Sequence, residues 1–150
     1  RPINQLGLQD ILHAVVEMFA RDAAAKGLTL RLVRTSHDAP VDALVPTRIL
    51  SNLVSNAIKY TQSGGIVVGV RAQGAMLRIE VHDSGPGMSE EEFAKASKPR
   101  IRWQPDQGSG SGLGLSIAIN LARENGFQIT RSRLRRSGLG LVLTLNGARS

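Results

Sequence analysis

The sequence contains no cysteine in its 150 residues, and aromatic residues make up only 3% of it. The absence of cysteine excludes a disulfide scaffold, a thiolate zinc site and cysteine catalysis. With so few rings the core must be aliphatic, and the 41% of hydrophobic residues can supply one compact domain. No apolar run approaches the ~18 residues that a membrane-spanning helix needs, so we expect a soluble piece without direct membrane contact.

Acidic residues are also in the minority, since 19 Lys and Arg stand against 12 Asp and Glu, for a net charge of +7. Such a charge favours anionic partners: nucleic acid, anionic lipid or nucleotide phosphates. The basic residues form two clusters, Lys98, Arg100 and Arg102, and then Arg131, Arg133, Arg135 and Arg136. No nucleic-acid motif accompanies them and rings for base stacking are too few, so we interpret them as a solvated edge and expect no nucleic-acid partner.

Apolar spacing and turn residues predict a mixed order of helices and strands. Helices are expected over about 8–26, 46–60 and 112–125, with a short one from Ser89, and strands over 28–33, 66–71, 76–83, 127–133 and 139–145. Residues 36–44 and 97–111 are predicted to be loops. This order predicts an α/β sandwich with helices on one sheet face, in a single domain over residues 1–150. The chain begins with Arg1 rather than methionine, so we expect a fragment of a longer protein.

The second predicted helix carries a polar stripe beside its apolar face. Asn52, Asn56 and Lys59 lie at positions i, i+4 and i+7. Asparagine is a poor residue for a helix interior, because its side chain competes for backbone hydrogen bonds. Two amide oxygens one turn apart can hold a hard cation such as Mg²⁺, and the lysine can meet a phosphate. The stripe therefore favours function over a solvated polar face.

Two glycine-bearing segments complete the candidate motifs. Asp83 continues the apolar alternation of its strand, so a carboxylate is directed along the buried side at the strand end, just before Ser84-Gly85-Pro86-Gly87-Met88. The stretch 108–115 presents closely spaced glycines before a helix N-terminus, where free N–H groups and the helix dipole suit a phosphate. It fits neither the GxGxxG pattern nor a Walker loop.

In order along the chain, NLVSNAIKYT, DSGPGM and GSGLGLSIA resemble the three nucleotide boxes of bacterial sensor histidine kinases. The resemblance covers nearly the whole chain from about Leu8. It implies the catalytic ATP-binding domain of those kinases, with the Bergerat fold that gyrase, heat-shock chaperone and mismatch-repair ATPases share. That fold is a two-layer α/β sandwich, a mixed sheet covered on one face by three helices, with a flexible ATP lid at about 97–111.

The resemblance also implies roles for individual residues. Asn56 matches the Mg²⁺-coordinating asparagine and Asn52 the one that supports metal and phosphates, while Lys59 matches a phosphate contact; Asn56 and Lys59 are thus the catalytic residues. Tyr60 lines the nucleotide and Asp83 recognises the adenine amino group. The remaining ATP-binding positions are Gly85, Gly87 and Met88, then Gly110, Ser111, Gly112, Leu113, Gly114 and Leu115.

The phenylalanine box of the family is reduced here. Only Phe93 of its two usual aromatics is clear, and Lys98, Arg100 or Arg102 stands in for its phosphate-binding arginine. The choice among these three stays open.

The function implied is transfer of the γ-phosphate of Mg·ATP to a histidine on a dimerisation domain outside this chain, in two-component signalling with a response regulator. None of His13, His37 and His82 lies in an acceptor motif. We therefore expect the isolated chain to bind ATP or ADP, to be monomeric and not to autophosphorylate. The implied location is cytoplasmic, within a parent of a kind that can be anchored in the inner membrane.

Three alternatives stay open. One is an anti-sigma-type serine kinase or another Bergerat ATPase, which a histidine-bearing helix pair upstream in the full gene would exclude. Another is a degenerate module that binds a nucleotide or only a partner protein, without transfer. The third is a nucleic-acid binder, motivated by the net charge, whose binding would depend steeply on salt.

Overall fold

The computed structural model describes residues 5–35, 37–38, 40–98, 113–132 and 138–146. The helices and strands in chain order are β1 (Gln5–Gly7), α1 (Leu8–Ala25), β2 (Thr29–Leu32), β3 (Pro40–Asp42), α2 (Leu44–Tyr60), β4 (Gly65–Gln73), β5 (Met76–Asp83), α3 (Glu90–Ala96), α4 (Leu113–Glu124), β6 (Gln128–Arg131) and β7 (Leu139–Asn146). No helix among them combines the length and the apolar character that crossing a bilayer requires.

The main sheet has five strands in the order β2-β4-β5-β7-β6. β2 pairs with β4 in parallel, and the other neighbours pair antiparallel. Helices α1, α2 and α4 pack against this sheet, and the short α3 packs on α4. The predicted α/β fold with a mixed sheet and a covering helical layer is therefore confirmed.

The core lies between the helices and one face of the sheet. Alternate residues of β4 and β5 point into it, which is the period of a half-buried strand. The broad apolar face that was predicted for α2 meets them. The buried residues of these three elements include Ile49, Leu50, Leu53, Val54, Ala57, Ile66, Val68, Val70, Leu77, Ile79 and Val81. The core is aliphatic, as the scarcity of rings requires.

The end of α1 fixes the end of α2. At the C-terminus of α1, Leu28 N–H donates to Ala23 O at 2.9 Å, which ends the helix where the sequence predicts. The Lys26 ammonium then donates to two carbonyls in the last turn of α2, Ile58 O at 2.7 Å and Lys59 O at 3.0 Å. A cation suits this position because the helix dipole is negative there. Lys26 thus holds the segment of α2 that carries the polar stripe.

The sequence-based boundaries need two corrections. Residues 36–44 were predicted to be loop, but β3 lies within them and pairs antiparallel with β1, with Leu6 opposite Val41. Strands of three residues offer too few positions for an alternation to be visible. Helix α2 also begins at Leu44, before Pro46, which stays within the first turn where its missing N–H is harmless.

The short helix predicted from Ser89 is present as α3. The Ser89 hydroxyl accepts from Glu92 N–H at 3.0 Å, and the Glu92 carboxylate accepts from Ser89 N–H at 2.9 Å. This is a complete capping box. Hydrogen bonding from the Ser89 backbone N–H, and secondly from its side chain, lowers the pKa of Glu92 below its ordinary value.

Candidate functional site

The polar stripe of α2 faces the N-terminus of α4. Asn56 is 8% exposed, and a Cβ placed on Gly114 would stand 3.6 Å from Asn56 Oδ1. Asn52 is half-buried one turn earlier, and Lys59 is exposed one turn later. The polar stripe of α2 and the end of the glycine-rich stretch 108–115, where α4 begins, therefore lie side by side.

The last residues of α2 combine a cation and a ring. Lys59 Nζ lies 5.5 Å from the centroid of the Tyr60 ring, within the range of a cation–π contact. The Lys59 side chain is exposed, so its charge remains accessible to an anion. A phosphate near the end of this stripe would meet that charge.

Asp83 ends β5 on the buried side, as its alternation predicts, and it is 6% exposed. Its Oδ1 accepts hydrogen bonds from Gly85 N–H at 2.9 Å and from Leu139 N–H at 3.2 Å. These two amides belong to the loop after β5 and to the start of β7. The carboxylate is therefore held in one orientation at the edge of the core.

The loop after β5, which follows Asp83 and contains Gly85 and Gly87, lies against the end of α2. A Cβ on Gly85 would lie 3.2 Å from each of Asp83 Oδ1, Thr61 Oγ1 and Tyr60 O. These distances are shorter than ordinary van der Waals contacts, so a side chain at this position would require its neighbours to shift. Gly87 has a φ of +84°, and a Cβ there would be 3.0 Å from Gly138 O, so this position also requires glycine.

Arg131 holds this loop from β6. Its guanidinium donates to Met88 O at 2.5 Å and lies 3.5 Å from a Glu90 carboxylate oxygen. The prediction that Arg131 belongs to a solvated edge is therefore wrong for this residue. Residues 88 and 131 are far apart in the chain, so no local pattern indicates their contact.

The start of the predicted lid is anchored to α4. The Arg123 guanidinium donates to Ser97 O at 2.5 Å, and the Asn120 amide donates to Lys98 O at 3.4 Å. Lys98 has an exposed side chain. Arg100, Arg102, Gly110, Ser111 and Gly112 lie outside the described residues, and so do Arg133, Arg135 and Arg136.

Of the glycine-rich stretch 108–115, the structure describes the residues from the start of α4 onward. Leu113 opens the helix, Gly114 faces Asn56, and Leu115 is fully buried in the core. The first turn of this twelve-residue helix therefore lies beside the polar stripe.

A metal ion would find amide rather than carboxylate ligands on this stripe. Within the described ranges there is no group of three or more His, Cys, Asp or Glu residues that could hold a metal ion. The amide oxygens of Asn52 and Asn56 are hard donors, which suit Mg²⁺ when a ligand's oxygens and water complete the coordination. The donor set thus fits a cation that arrives with a phosphorylated ligand.

Comparisons with known proteins show which proteins this chain is similar to. Residues 41–147 match the family described as histidine kinase-, DNA gyrase B- and HSP90-like ATPase. The chain is 35% identical over 135 residues to the aerobic respiration control sensor protein ArcB of Escherichia coli (strain K12), covering 85% of this chain and 17% of that protein. It spans less than a third of the length of such curated relatives.

Solved structures share the fold. The catalytic domain of histidine kinase ThkA matches with a TM-score of 0.78 at 23% identity, over 97% of this chain and 96% of that one. ThkA has also been solved in complex with the response regulator protein TrrA. Full-length ShkA in complex with AMPPNP matches with a TM-score of 0.76 at 22% identity, over 100% of this chain and 33% of that one.

Proposed function

The chain belongs to the family of histidine kinase-, DNA gyrase B- and HSP90-like ATPases, and from this premise we propose that it binds Mg·ATP and donates the γ-phosphate to a histidine on a dimerisation domain outside this chain. The resemblance to the catalytic ATP-binding domain of sensor histidine kinases is confirmed. What is proposed is that this chain carries out the binding and the transfer with the residues described above.

The observation that supports the proposal best is the position of α2 between the two glycine-bearing motifs. Asn56 faces Gly114 on one side, and the end of α2 faces Gly85 beside Asp83 on the other. Asn56 on α2 and Asp83 at the end of β5 would then be the metal-binding amide and the base-recognising carboxylate at the two ends of one elongated site. A nucleoside triphosphate has the matching order of base, sugar and phosphates.

At the base end, Asp83 would accept a hydrogen bond from the adenine amino group. Its backbone contacts to Gly85 and Leu139 hold it in place before the base arrives. Such a preset acceptor discriminates strongly, because a base without a donor at that point leaves the buried carboxylate facing another acceptor. Gly85, Gly87 and Met88 would form the wall beside the ring, and Tyr60 would line it.

At the phosphate end, Asn56 and Asn52 would hold Mg²⁺, which when bound neutralises charge on the phosphates. Lys59 and the N-terminal amides of α4 would supply further positive potential. Gly110, Ser111, Gly112 and Leu113 are proposed to belong to this end together with Gly114 and Leu115. Phosphoryl transfer needs positioning and charge neutralisation more than covalent chemistry.

In the transfer itself, a histidine ring nitrogen would attack the γ-phosphorus while the bond to the bridging oxygen breaks and ADP leaves. The role of this chain is to present the γ-phosphate, with Asn56 and Lys59 as its catalytic residues. We propose a single domain over residues 1–150 with its lid at about 97–111. It would be cytoplasmic and monomeric when isolated, working with its own dimerisation domain and a response regulator.

The first test is a calorimetric titration of the chain with ADP and an ATP analogue, with and without Mg²⁺. Magnesium-dependent binding that Asp83→Asn weakens strongly would support the site. Absence of binding in both conditions would refute it and favour a module for protein partners.

A second experiment tests the transfer. The chain is mixed with ATP and with the histidine-bearing domain of its parent protein, and phosphohistidine and phosphoserine are measured. Phosphohistidine on that domain, and none on the chain alone, is the expected result. Phosphoserine on a partner would instead favour the serine-kinase alternative, and binding without transfer would favour a degenerate module.

A further inference from the structure

Lys26 is the residue at the C-terminus of α1, but its side chain bonds to the end of a different helix. Its ammonium donates to Ile58 O at 2.7 Å and to Lys59 O at 3.0 Å. The last carbonyls of a helix need partners from outside its regular hydrogen bonds. In α2 the backbone N–H of Thr61 takes Ala57 O at 3.1 Å, and Lys26 takes the next two carbonyls. A cation from another helix therefore closes the last turn of α2.

The backbone that carries Lys26 is itself fixed. The N–H groups of Lys26 and Leu28 both donate to Ala23 O, at 3.1 Å and 2.9 Å. Gly27 N–H donates to Ala24 O at 2.9 Å, and the φ of Gly27 is +74°, a left-handed conformation that glycine adopts at little cost. The Lys26 side chain thus extends from a well-defined helix end, and its two hydrogen bonds tie the last turn of α2 to that end.

The turn held by Lys26 includes the residue proposed to meet a phosphate. Lys59 accepts from Lys26 through its backbone carbonyl, while its own side chain is exposed, with Nζ 5.5 Å from the centroid of the Tyr60 ring. The C-terminus of a helix carries partial negative charge, which disfavours an anion nearby. The Lys26 ammonium offsets this charge at the same turn from which the Lys59 side chain extends.

We propose that Lys26 is a positioning residue for nucleotide binding. By closing the last turn of α2, it fixes the backbone of Lys59 so that the Lys59 ammonium stands where a phosphate of the nucleotide meets it. Lys26 acts on the ligand through this turn and not by direct contact. The inference rests on the proposed function, because it requires a phosphate beside Lys59.

Two other roles for Lys26 would give different results. A structural cap would stabilise the fold without changing the affinity for a nucleotide. A cation that attracted the phosphates directly would add its effect to that of Lys59, whether or not Lys59 is present. A residue that acts through Lys59 loses its effect once the Lys59 ammonium is removed, and a double-mutant cycle measures this dependence.

The test measures ADP binding by calorimetry, with Mg²⁺, for the unchanged chain, Lys26→Met, Lys59→Met and the variant with both changes. We expect Lys26→Met to weaken ADP binding about fivefold when Lys59 is present. The same change should weaken it less than about twofold when Lys59 is already methionine. Lys26→Arg keeps a cation with several N–H donors and should bind ADP within about twofold of the unchanged chain.

A matched control separates this role from an effect of net charge. Arg21→Met also removes one positive charge from an exposed position of α1, and it should leave ADP affinity unchanged. An equal loss in Arg21→Met would overturn the proposal. Circular dichroism at the titration temperature checks that each variant is folded. A lower unfolding temperature for Lys26→Met with unchanged ADP affinity would make Lys26 a structural cap and would also overturn it.

Failure of this inference can be told from failure of the nucleotide site. If Lys26→Met weakens ADP binding equally with and without Lys59, the effect does not pass through Lys59 and the positioning role falls. If Lys26→Met or Lys59→Met binds ADP as tightly as the unchanged chain while Asp83→Asn does not, the nucleotide site stands and the positioning role falls. If the unchanged chain binds no ADP, both proposals fall together.

Discussion

Strand β5 carries two buried carboxylates, Glu80 and Asp83, on opposite faces of the sheet. Glu80 contacts charged or chargeable side chains, with the Arg71 guanidinium at 3.1 Å and the His82 ring at 2.8 Å. Asp83 is instead oriented by the backbone N–H groups of Gly85 and Leu139. Both groups are equally buried, at 6% exposure.

The comparison teaches that burial alone does not mark a functional carboxylate. The charge of Glu80 is compensated by Arg71 within the fold, so its burial needs no ligand to account for it. Asp83 lies where the loop after β5, the start of β7 and the end of α2 converge, so its hydrogen bonds join the first two of these segments beside the third. The identity of the neighbours, and the space they leave, separates the two cases.

The largest expected effect is that of Asp83→Asn. The amide keeps an oxygen that can accept from Gly85 and Leu139, so the fold should be retained. Losing the charged acceptor should weaken ADP binding about 30- to 100-fold. Calorimetric titration measures this, with circular dichroism as the check on folding. Unchanged ADP affinity in a folded variant would mean that Asp83 does not contact the nucleotide. Asp83 and Glu80 would then not differ in their role in binding.

Arg131→Met should have the next largest effect. It removes the contacts to Met88 O and Glu90 and keeps most of the aliphatic stem, so the loop beside Asp83 loses an anchor. We expect ADP affinity to fall about fivefold to tenfold, since the loop must then be ordered at a cost to binding. Arg78→Met is the matched control, because it removes a guanidinium contact to Gln73 near the other end of β5 and should leave ADP affinity unchanged. The idea fails if Arg131→Met lowers stability without changing ADP affinity.

Glu80→Gln should affect stability rather than binding. The variant removes the charge between Arg71 and His82 but keeps the shape of the side chain. Because Arg71 is 67% exposed and well solvated, we expect a loss of only about 1 kcal/mol of unfolding free energy. Urea unfolding measures it, and ADP affinity should not change. A clear loss of affinity would mean that the two faces of β5 are coupled.

How far the sequence predicts these features depends on how local their causes are. The alternation of Leu77, Ile79 and Val81 predicts that Asp83 is buried, because all four share one phase of a single strand. The same alternation places Glu80 on the other face. Its ion pair with Arg71 of the neighbouring strand is revealed by no local pattern.

The features of the site that the sequence did not predict also depend on contacts between residues far apart in the chain. The contact of Arg131 with the Met88 carbonyl joins β6 to the loop after β5. The position of the Thr61 hydroxyl beside Asp83 depends on how the end of α2 packs on that loop. Helical spacing places Asn52, Asn56 and Lys59 on one stripe, but only the packing of α4 shows that Gly114 faces it. The choice among Lys98, Arg100 and Arg102 as a phosphate contact stays a prediction.

A third carboxylate, Glu92, can be compared with Glu80 and Asp83. Its substitution is expected to have the smallest effect, a small change in stability. Hydrogen bonds from Ser89, first from its backbone N–H and then from its side chain, lower the pKa of Glu92, although the residue is exposed. Because its folded pKa lies below the unfolded value, its contribution to stability is fully present above the ordinary glutamate pKa and is lost as the pH falls through the lowered one. Glu92→Gln should therefore be slightly less stable than the unchanged chain at neutral pH, and this difference should shrink in acid. Thermal unfolding across that range measures it, and ADP affinity at neutral pH should be the same for both. A difference in stability that did not change with pH would place the effect outside the capping box, whereas a change in ADP affinity would link α3 to the base site.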